Sequence, residues 1–326
     1  MELVHIEYDG KSIDTKNYVE LSQEEFEELR EQYYQRPSKQ EVINQMKKIA
    51  NGGVMMDKIT RYYFRELMSL VQISTAKWTV NDVFNSPKLL GMFKAKTLNN
   101  EKVFPPDKPL IKNIETAIRL GGKAYAKIPT QYPLKSVYEI LLHYNINNNW
   151  YDFSCGWGAR LLGALVKNVN YYGTDPNNLL IDKLQEMVND YPYKKPNVHL
   201  YCQGSEIDIP ELHNKIGLAF SSPPYYNLED YKIGNQSYKQ GVSYQQWLND
   251  YFIPSINNIY NYLIDDGYLA LNIKDINGYS LVQDTYKIIN KKFTLVDIID
   301  LKNISRINSL GELNNNDELI YIYKKN

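Results

Sequence analysis

Hydrophobic and polar positions in the C-terminal two thirds of the chain switch repeatedly between the spacing of strands and that of helices. Segments with helical spacing separate short apolar runs, which is typical of a parallel sheet with helices on both faces. The apolar runs predict strands at residues 150–153, 170–174, 198–202, 216–220, 268–273, 293–299 and 318–323. We therefore predict a doubly wound α/β fold whose ligands bind beyond the carboxyl ends of the strands.

The N-terminal third has a different pattern. Asp9-Gly10 between two strand-like runs, 2–8 and 12–19, predicts a hairpin. Ser22-Gln-Glu-Glu25 has the form of a capping box and predicts the start of an acidic helix that ends near Tyr34.

Further helical periodicity follows at 38–74 and 79–96, with breaks near Asn51-Gly52-Gly53 and Pro87, and Pro105-Pro106 with Pro109 marks a boundary. Three segments are predicted on this basis: an acidic hairpin and helix at 1–35, a basic and mainly helical domain at 36–108, and an α/β domain at 109–326.

Charge is segregated although the net charge is only −1. Residues 1–35 carry ten acidic and three basic side chains, whereas residues 36–127 carry seventeen basic and seven acidic ones. A basic segment is a candidate for phosphate contact, and here Lys94 and Lys96 are its named candidates. Aromatic residues interleave this segment and either contact nucleic acid or belong to the core: Tyr62, Tyr63, Phe64, Trp78, Phe84 and Phe93.

Composition excludes several classes of protein. A hydrophobic content of 43% suffices for a core, while no run of eighteen apolar residues predicts a membrane span. The N-terminus lacks the pattern of a signal peptide, so we expect a cytoplasmic location. Two cysteines and four scattered histidines predict neither a disulfide framework nor a metal site.

Two motifs stand where strands end. Asp152-Phe-Ser-Cys-Gly156-Trp-Gly158 lies between a strand and a helix, where glycines allow the backbone to approach a ligand closely. Asp175 ends the next strand, which is where an acidic side chain holds the hydroxyls of a ribose. Further on, Pro223-Pro224 must end a strand in a rigid turn, since neither residue donates an N–H. That turn fixes Ser222 and Tyr225.

These motifs resemble those of the S-adenosylmethionine-dependent amino methyltransferases of DNA, which modify N6 of adenine or N4 of cytosine. Ser222-Pro-Pro-Tyr225 matches the catalytic motif of that family, and the glycine motif departs from it only in that Phe153 stands one place early. Residues 128–134 resemble a third family element, and the likeness extends over about 120–326. It implies a seven-stranded Rossmann-like sheet whose last strand runs antiparallel.

The resemblance also implies roles for individual residues. S-adenosyl-L-methionine would be held at its methionine end by the glycine motif, at its ribose by Asp175, and at its adenine by Ser205 or Glu206. Ser222 Oγ and the Pro223 carbonyl would accept the amine hydrogens, and Tyr225 would stack on a base flipped out of the duplex. The remaining implied cofactor contacts are Asp152, Phe153, Gly156, Gly158, Thr130 and Gln131.

Residues 227–246 follow the Pro-Pro turn and are rich in polar residues. We expect this segment, with Lys232 and Tyr238, to fold over the flipped base or to enter a groove of DNA; the alternative is an ordinary surface loop. Other readings stay open as well. The acceptor could be RNA or a protein glutamine, and the chain could be a cofactor-binding subunit that only recognises DNA.

Overall fold

The computed structural model describes residues 3–98, 102–120, 125–232, 235–239, 241–276, 278–300, 305–306 and 319–326. The chain divides into two compact units. The first, here the N-terminal unit, comprises Met1–Lys39, Thr60–Thr130 and Glu229–Lys232. The second, here the sheet unit, comprises Gln40–Ile59, Gln131–Leu228 and Ile233–Asn326. The three predicted segments, 1–35, 36–108 and 109–326, stay predictions as functional domains.

The N-terminal unit begins with the predicted hairpin. Its strands are β1 (Val4–Tyr8) and β2 (Lys11–Thr15), which pair antiparallel around Asp9-Gly10. Ser22 Oγ accepts the backbone N–H of Glu25 and so begins α1 (Gln23–Tyr34), as the sequence predicts. The helices and strands that complete the described part of this unit are α4 (Arg65–Ser69) after a π turn (Thr60–Phe64), β3 (Gln72–Ile73), α5 (Val80–Phe84), α6 (Pro87–Leu98), α7 (Leu110–Leu120) and β8 (Glu229–Asp230).

The aromatic residues of the basic segment are mostly core residues. Trp78, Phe84 and Phe93 are at most 1% exposed and belong to one apolar cluster within the N-terminal unit. Tyr63 and Phe64 are also buried. Of the two interpretations of these rings, the structure supports the core for all but the half-buried Tyr62.

The helical prediction for 38–74 is correct at its break and wrong at its end. α2 (Lys39–Ala50) and α3 (Asp57–Ile59) are separated by a loop that includes the predicted break at Asn51-Gly52-Gly53, and helix ends at Ser69 rather than near residue 74. Gln72–Ile73 then pairs antiparallel with a short strand, β8 (Glu229–Asp230). That pairing joins positions far apart in the sequence, so local periodicity does not reveal it.

The sheet unit contains the predicted alternation of helices and strands. Besides most of α2 and all of α3, its elements are α8 (Leu134–Tyr144), β4 (Asn149–Asp152), α9 (Ala159–Lys167), β5 (Asn170–Thr174), α10 (Asn178–Asp190), β6 (Val198–Tyr201), a 3₁₀ turn (Pro210–Leu212), β7 (Ile216–Ser221), α11 (Tyr244–Trp247), a π turn (Leu248–Phe252), α12 (Ile253–Tyr262), β9 (Leu263–Ile273), α13 (Leu281–Ile289), β10 (Phe293–Asp300), β11 (Ser305–Arg306) and β12 (Leu319–Lys325). All seven predicted strands are present within a few residues of their expected bounds.

The strands form one sheet in the order β11-β10-β12-β9-β7-β4-β5-β6. β6, β5, β4, β7 and β9 are parallel neighbours, and β12 lies antiparallel between β9 and β10. The last strand therefore runs antiparallel, as expected, and the two-residue β11 is an addition to the seven. The predicted Rossmann-like fold is confirmed.

Chain order fixes where a ligand can bind. From β4 the chain moves outward through β5 to β6, then returns to β7 on the other side of β4 and continues to β9. Because such crossovers are right-handed, those running in opposite directions place their helices on opposite faces of the sheet. The loops after β4 and β7 diverge at this switch point, and both sequence motifs lie there.

Candidate functional site

The glycine loop after β4 uses its glycines for backbone conformation. Gly156 and Gly158 have φ values of 58° and 79°, in the left-handed region where a side chain is unfavourable. Gly158 directly precedes α9, whose N-terminal amides are thus at the loop. The loop predicted from the sequence is therefore present, with glycine where the backbone requires it.

Asp152 at the end of β4 is fully buried and its carboxylate is engaged within the protein. Oδ2 accepts hydrogen bonds from Arg160 Nε at 2.8 Å and from the Tyr171 hydroxyl at 2.7 Å. Arg160 also donates through Nη2 to the Ser154 carbonyl inside the loop. The ion pair neutralises the buried charge and holds the loop, while a contact of Asp152 with the cofactor stays a prediction.

Arg160 is a functional residue that the sequence pattern does not reveal. The arginine lies in the first turn of α9, is 5% exposed and carries the charge that balances Asp152. An arginine two residues after the second glycine, facing an acidic residue that ends the strand, is the signal that could have revealed the pair.

Asp175 follows β5, at the same edge of the sheet as the glycine loop. Its Oδ1 accepts the backbone N–H of Asn177 at 3.0 Å. Burial raises the pKa of Asp175 to about 7, against the lowering effect of the Asn177 and Gly156 N–H groups. This carboxyl group therefore titrates near neutral pH instead of near pH 4.

We predict that S-adenosylmethionine affinity depends on pH through Asp175. A carboxylate accepts both ribose hydroxyls, whereas the protonated group does so poorly, so affinity should fall about tenfold per pH unit below pH 7. Asp175→Asn should bind the cofactor weakly and without this dependence. Calorimetric titration of the wild type and Asp175→Asn with the cofactor, from pH 5.5 to 8.5, tests this prediction. The same pH dependence of affinity in both proteins would contradict the assignment of Asp175 to the ribose.

The same pKa has a consequence for stability. The folded-state value of about 7 lies above the ordinary 3.8, so between these pH values the folded state holds a proton that the unfolded state lacks. Stability thus falls as pH rises from about 4 to 7. Asp175→Asn should remove this fall, and its melting temperature should exceed that of the wild type most at pH 8. A constant difference at all pH values would contradict this.

Two neighbouring residues after β6 differ in their availability to an adenine. Ser205 is 2% exposed, and its Oγ lies 2.8 Å from Ser255 Oγ. Glu206 has a buried Oε2 without a hydrogen-bond partner among the described residues, and burial raises its pKa. Of the two adenine candidates, Glu206 is therefore the one with an acceptor free for a ligand.

The segment that resembles the third family element reaches the glycine loop through one side chain. Gln131 Nε2 donates to the Trp157 carbonyl at 2.8 Å. Thr130 is exposed. Gln131 is thus brought to the loop, whereas a role for either residue at the cofactor carboxylate stays a prediction.

The Pro-Pro turn begins where β7 ends, at Ser221. Pro223 is buried and Tyr225 is 8% exposed. Ser222 Oγ lies 2.9 Å from the Tyr225 hydroxyl oxygen, which in turn donates to the backbone carbonyl of Asn272 in β9 at 3.0 Å. The turn therefore fixes the serine and the tyrosine against each other and against the neighbouring strand.

Hydrogen bonds join the two motif loops across β4 and β7. Ser221 Oγ donates to the Ser154 carbonyl at 3.3 Å and accepts from Arg160 Nη2 at 3.3 Å. The glycine loop and the residue preceding Ser222 thus share one buried network. These hydrogen bonds bring together two motifs that lie far apart along the chain.

The segment after the turn packs against an aromatic cluster. Tyr226 has a φ of 47°, and its ring centroid lies 5.3 Å from that of Tyr238, 5.5 Å from that of Tyr244 and 5.3 Å from that of Tyr279. The Tyr226 hydroxyl donates to the Val242 carbonyl at 2.6 Å. The described part of 227–246 is therefore more apolar in its contacts than its sequence suggests.

The predicted nucleic-acid contacts have ionic partners. Lys94 Nζ lies 2.5 Å from Glu25 Oε1 in the N-terminal unit, and Lys232 Nζ lies 2.7 Å from Asp230 Oδ2. Burial lowers the pKa of Lys96. A phosphate would have to compete with Glu25 for Lys94, and contact of these lysines with DNA stays a prediction.

Two negative findings concern the described residues. Among them, His, Cys, Asp and Glu side chains form no group of three that could hold a metal ion. None of the helices within those same ranges is long and apolar enough to cross a membrane.

Residues 216–326 match the family model described as DNA methylase. This span begins at β7, contains Ser222-Pro-Pro-Tyr225 and continues through the sheet to β12, so it confirms the resemblance to DNA methylases in this part of the chain. It agrees with S-adenosyl-L-methionine as the cofactor. No curated protein matches the chain.

Solved structures of similar fold are methyltransferases of low sequence identity. A TehB-like SAM-dependent methyltransferase from Corynebacterium glutamicum is 15% identical with a TM-score of 0.41, covering 59% of this chain and 87% of its own. An rRNA methylase from Streptococcus thermophilus is 14% identical with a TM-score of 0.37, covering 59% and 93%. A SAM-dependent O-methyltransferase from Thermotoga maritima is 12% identical with a TM-score of 0.38, covering 60% and 66%.

Proposed function

We propose that this protein transfers a methyl group from S-adenosyl-L-methionine to the exocyclic amino group of adenine (N6) or cytosine (N4) in DNA. One observation carries the proposal. A Ser-Pro-Pro-Tyr turn and a glycine loop end adjacent parallel strands, β7 and β4, and share a buried hydrogen-bond network at the switch point of the sheet. The Ser-Pro-Pro-Tyr turn lies within residues 216–326, which match the DNA methylase family model.

The residues after β4, β5 and β6 fit the three parts of the cofactor. The glycine loop offers backbone at close range to the methionine end, Asp175 offers a carboxylate to the ribose, and Glu206 offers an unpartnered carboxylate oxygen to the adenine. When bound, S-adenosylmethionine supplies an electrophilic methyl group. The loop conformation and these two acidic groups hold and orient it.

The Ser-Pro-Pro-Tyr turn supplies hydrogen-bond acceptors for the amine. In adenine and cytosine the amino lone pair is delocalised into the ring, so it becomes nucleophilic only when the nitrogen turns tetrahedral. Ser222 Oγ and the Pro223 carbonyl accept the N–H hydrogens and favour that geometry as positive charge develops on nitrogen. Transfer would form the N–C bond as the sulfonium S–CH3 bond breaks, with S-adenosylhomocysteine as the leaving group, and the amine would lose one hydrogen as a proton to solvent.

Tyr225 is the proposed stacking platform for the target base. An amino group inside a base pair is out of reach of a site at the edge of the sheet, so the target base must leave the duplex. Stacking of one base on an aromatic ring is worth about 1–3 kcal/mol. The Tyr225 ring packs in the apolar cluster of the sheet unit, which holds it in a fixed position for that contact. Tyr238 and Lys232 are the proposed contacts of the following segment with DNA.

Salt dependence tests the proposed DNA surface of the N-terminal unit. Neutralising one phosphate contributes about 0.9 to the slope of log K against log salt concentration. Lys94→Ala and Lys96→Ala should each reduce that slope by up to this amount. Glu25→Gln, which removes the competitor of Lys94, should strengthen DNA binding. Fluorescence anisotropy between 50 and 300 mM salt measures DNA binding by all three variants. Unchanged slopes in both lysine variants would show that DNA binds elsewhere on the protein.

Transfer of labelled methyl groups tests the function itself. Purified protein is incubated with labelled S-adenosylmethionine and duplex DNA, single-stranded DNA, RNA or protein extract. We expect label in DNA. Label in RNA or protein alone would reassign the acceptor, and cofactor binding without any transfer would favour a non-catalytic subunit.

A further inference from the structure

The hydrogen bonds around Ser222 form a chain with a defined direction. Ser222 Oγ lies 2.9 Å from the Tyr225 hydroxyl oxygen, and the Tyr225 hydroxyl lies 3.0 Å from the Asn272 carbonyl oxygen. Tyr225 is 8% exposed and Asn272 is fully buried, so most of this chain is shielded from solvent. Only its first member, Ser222, is half-buried.

The number of hydrogens that each group carries determines which group donates in these two hydrogen bonds. A backbone carbonyl only accepts, and a tyrosine hydroxyl has one hydrogen, so Tyr225 gives that hydrogen to Asn272. The bond between Ser222 and Tyr225 then takes its hydrogen from the serine. Ser222 Oγ is thereby left with lone pairs alone on its remaining side.

This polarity matters because a serine hydroxyl is otherwise ambiguous. A free hydroxyl rotates, and it can donate to a base as readily as accept from it. For an amine whose lone pair must attack, a donating hydroxyl would occupy that lone pair and oppose the reaction. A serine that already donates elsewhere is a pure acceptor, and donation strengthens its accepting capacity.

We infer that Tyr225 and the Asn272 carbonyl are positioning groups that lock the Ser222 hydroxyl as an acceptor for the substrate amine, an inference that rests on the proposed function. Tyr225 thus has a role in its hydroxyl that is separate from any stacking of its ring. The chain of hydrogen bonds from Ser222 through Tyr225 to the Asn272 carbonyl, here called the relay, selects a substrate atom that presents hydrogens, such as an amino group. It discriminates against a carbonyl or a ring nitrogen without hydrogen at the same place.

Tyr225→Phe isolates the hydroxyl, because the ring remains. The relay predicts that kcat falls about 5- to 10-fold, the size expected of one hydrogen bond, with little change in KM for DNA. Calorimetric affinity for S-adenosylmethionine should not change. Tyr144→Phe is the matched control: it removes another tyrosine hydroxyl of the sheet unit, one that donates to Asp297 in β10, outside both motif loops, and should leave kcat unaffected.

A double-mutant cycle gives the decisive comparison. In a Ser222→Ala background there is no hydroxyl to orient, so Tyr225→Phe should cost nothing further in single-turnover rate. An equal loss in both backgrounds would show that the tyrosine hydroxyl acts only by holding its ring, and would overturn the relay. If Tyr225→Phe transfers methyl groups as fast as the wild type, the relay is overturned while the proposed function stands. No transfer by the wild type would overturn both.

Discussion

Arg160→Met is expected to lower the free energy of unfolding by about 3–5 kcal/mol, because it leaves the carboxylate of Asp152 buried without a counter-charge. Asp152 is fully buried, and Arg160 supplies both its ionic partner and a hydrogen bond to the Ser154 carbonyl. Methionine fills a similar volume, so the loss reports mainly the charge. Urea unfolding followed by circular dichroism measures it.

The double variant Asp152→Asn, Arg160→Met is the control for that result. It removes both charges, and replacing both members of a buried ion pair is often far less costly than removing one. We expect it to recover most of the lost stability. If Arg160→Met alone lowers the free energy of unfolding by less than about 1 kcal/mol, solvent or another group compensates the charge of Asp152.

Ser222→Ala is expected to reduce kcat for methyl transfer by about 100- to 1000-fold, as loss of one pre-organised transition-state contact does elsewhere. The methyl side chain keeps the turn intact, since Pro223 and Pro224 fix the backbone. KM for DNA and affinity for the cofactor should change little, because Tyr225 keeps its hydrogen bond to the Asn272 carbonyl and Ser222 lies outside the cofactor loops. Steady-state kinetics with labelled cofactor separates these quantities.

Ser222→Asn is the matched control, because an amide oxygen also accepts an N–H. It should retain more activity than Ser222→Ala, although it loses the hydrogen bond to Tyr225. Equal activity of the alanine variant and the wild type would remove Ser222 from the mechanism.

Much of this molecule could be predicted from its sequence, since periodicity and backbone chemistry are local. Apolar runs located the strands, and Pro223-Pro224 indicated where β7 must end. The left-handed φ values of Gly156 and Gly158 follow from a strand-to-helix turn that only glycine accommodates easily.

The interactions that the sequence did not reveal are non-local. Arg160 reaches Ser221 across 61 positions, and Tyr225 reaches Asn272 across 47. Both pairs meet only because β4, β7 and β9 become neighbours in the sheet. Likewise, the basic character of residues 36–127 was evident, but the pairing of Lys94 with Glu25 required the fold.

Nucleoside mass spectrometry of duplex DNA incubated with S-adenosylmethionine and either wild-type protein or Ser222→Ala tests the central claim most directly. The account predicts N6-methyladenine or N4-methylcytosine with the wild type, and a decrease of about 100-fold or more with the variant. Equal methylation by both proteins, or methyl groups at carbon C5 of cytosine, would contradict it.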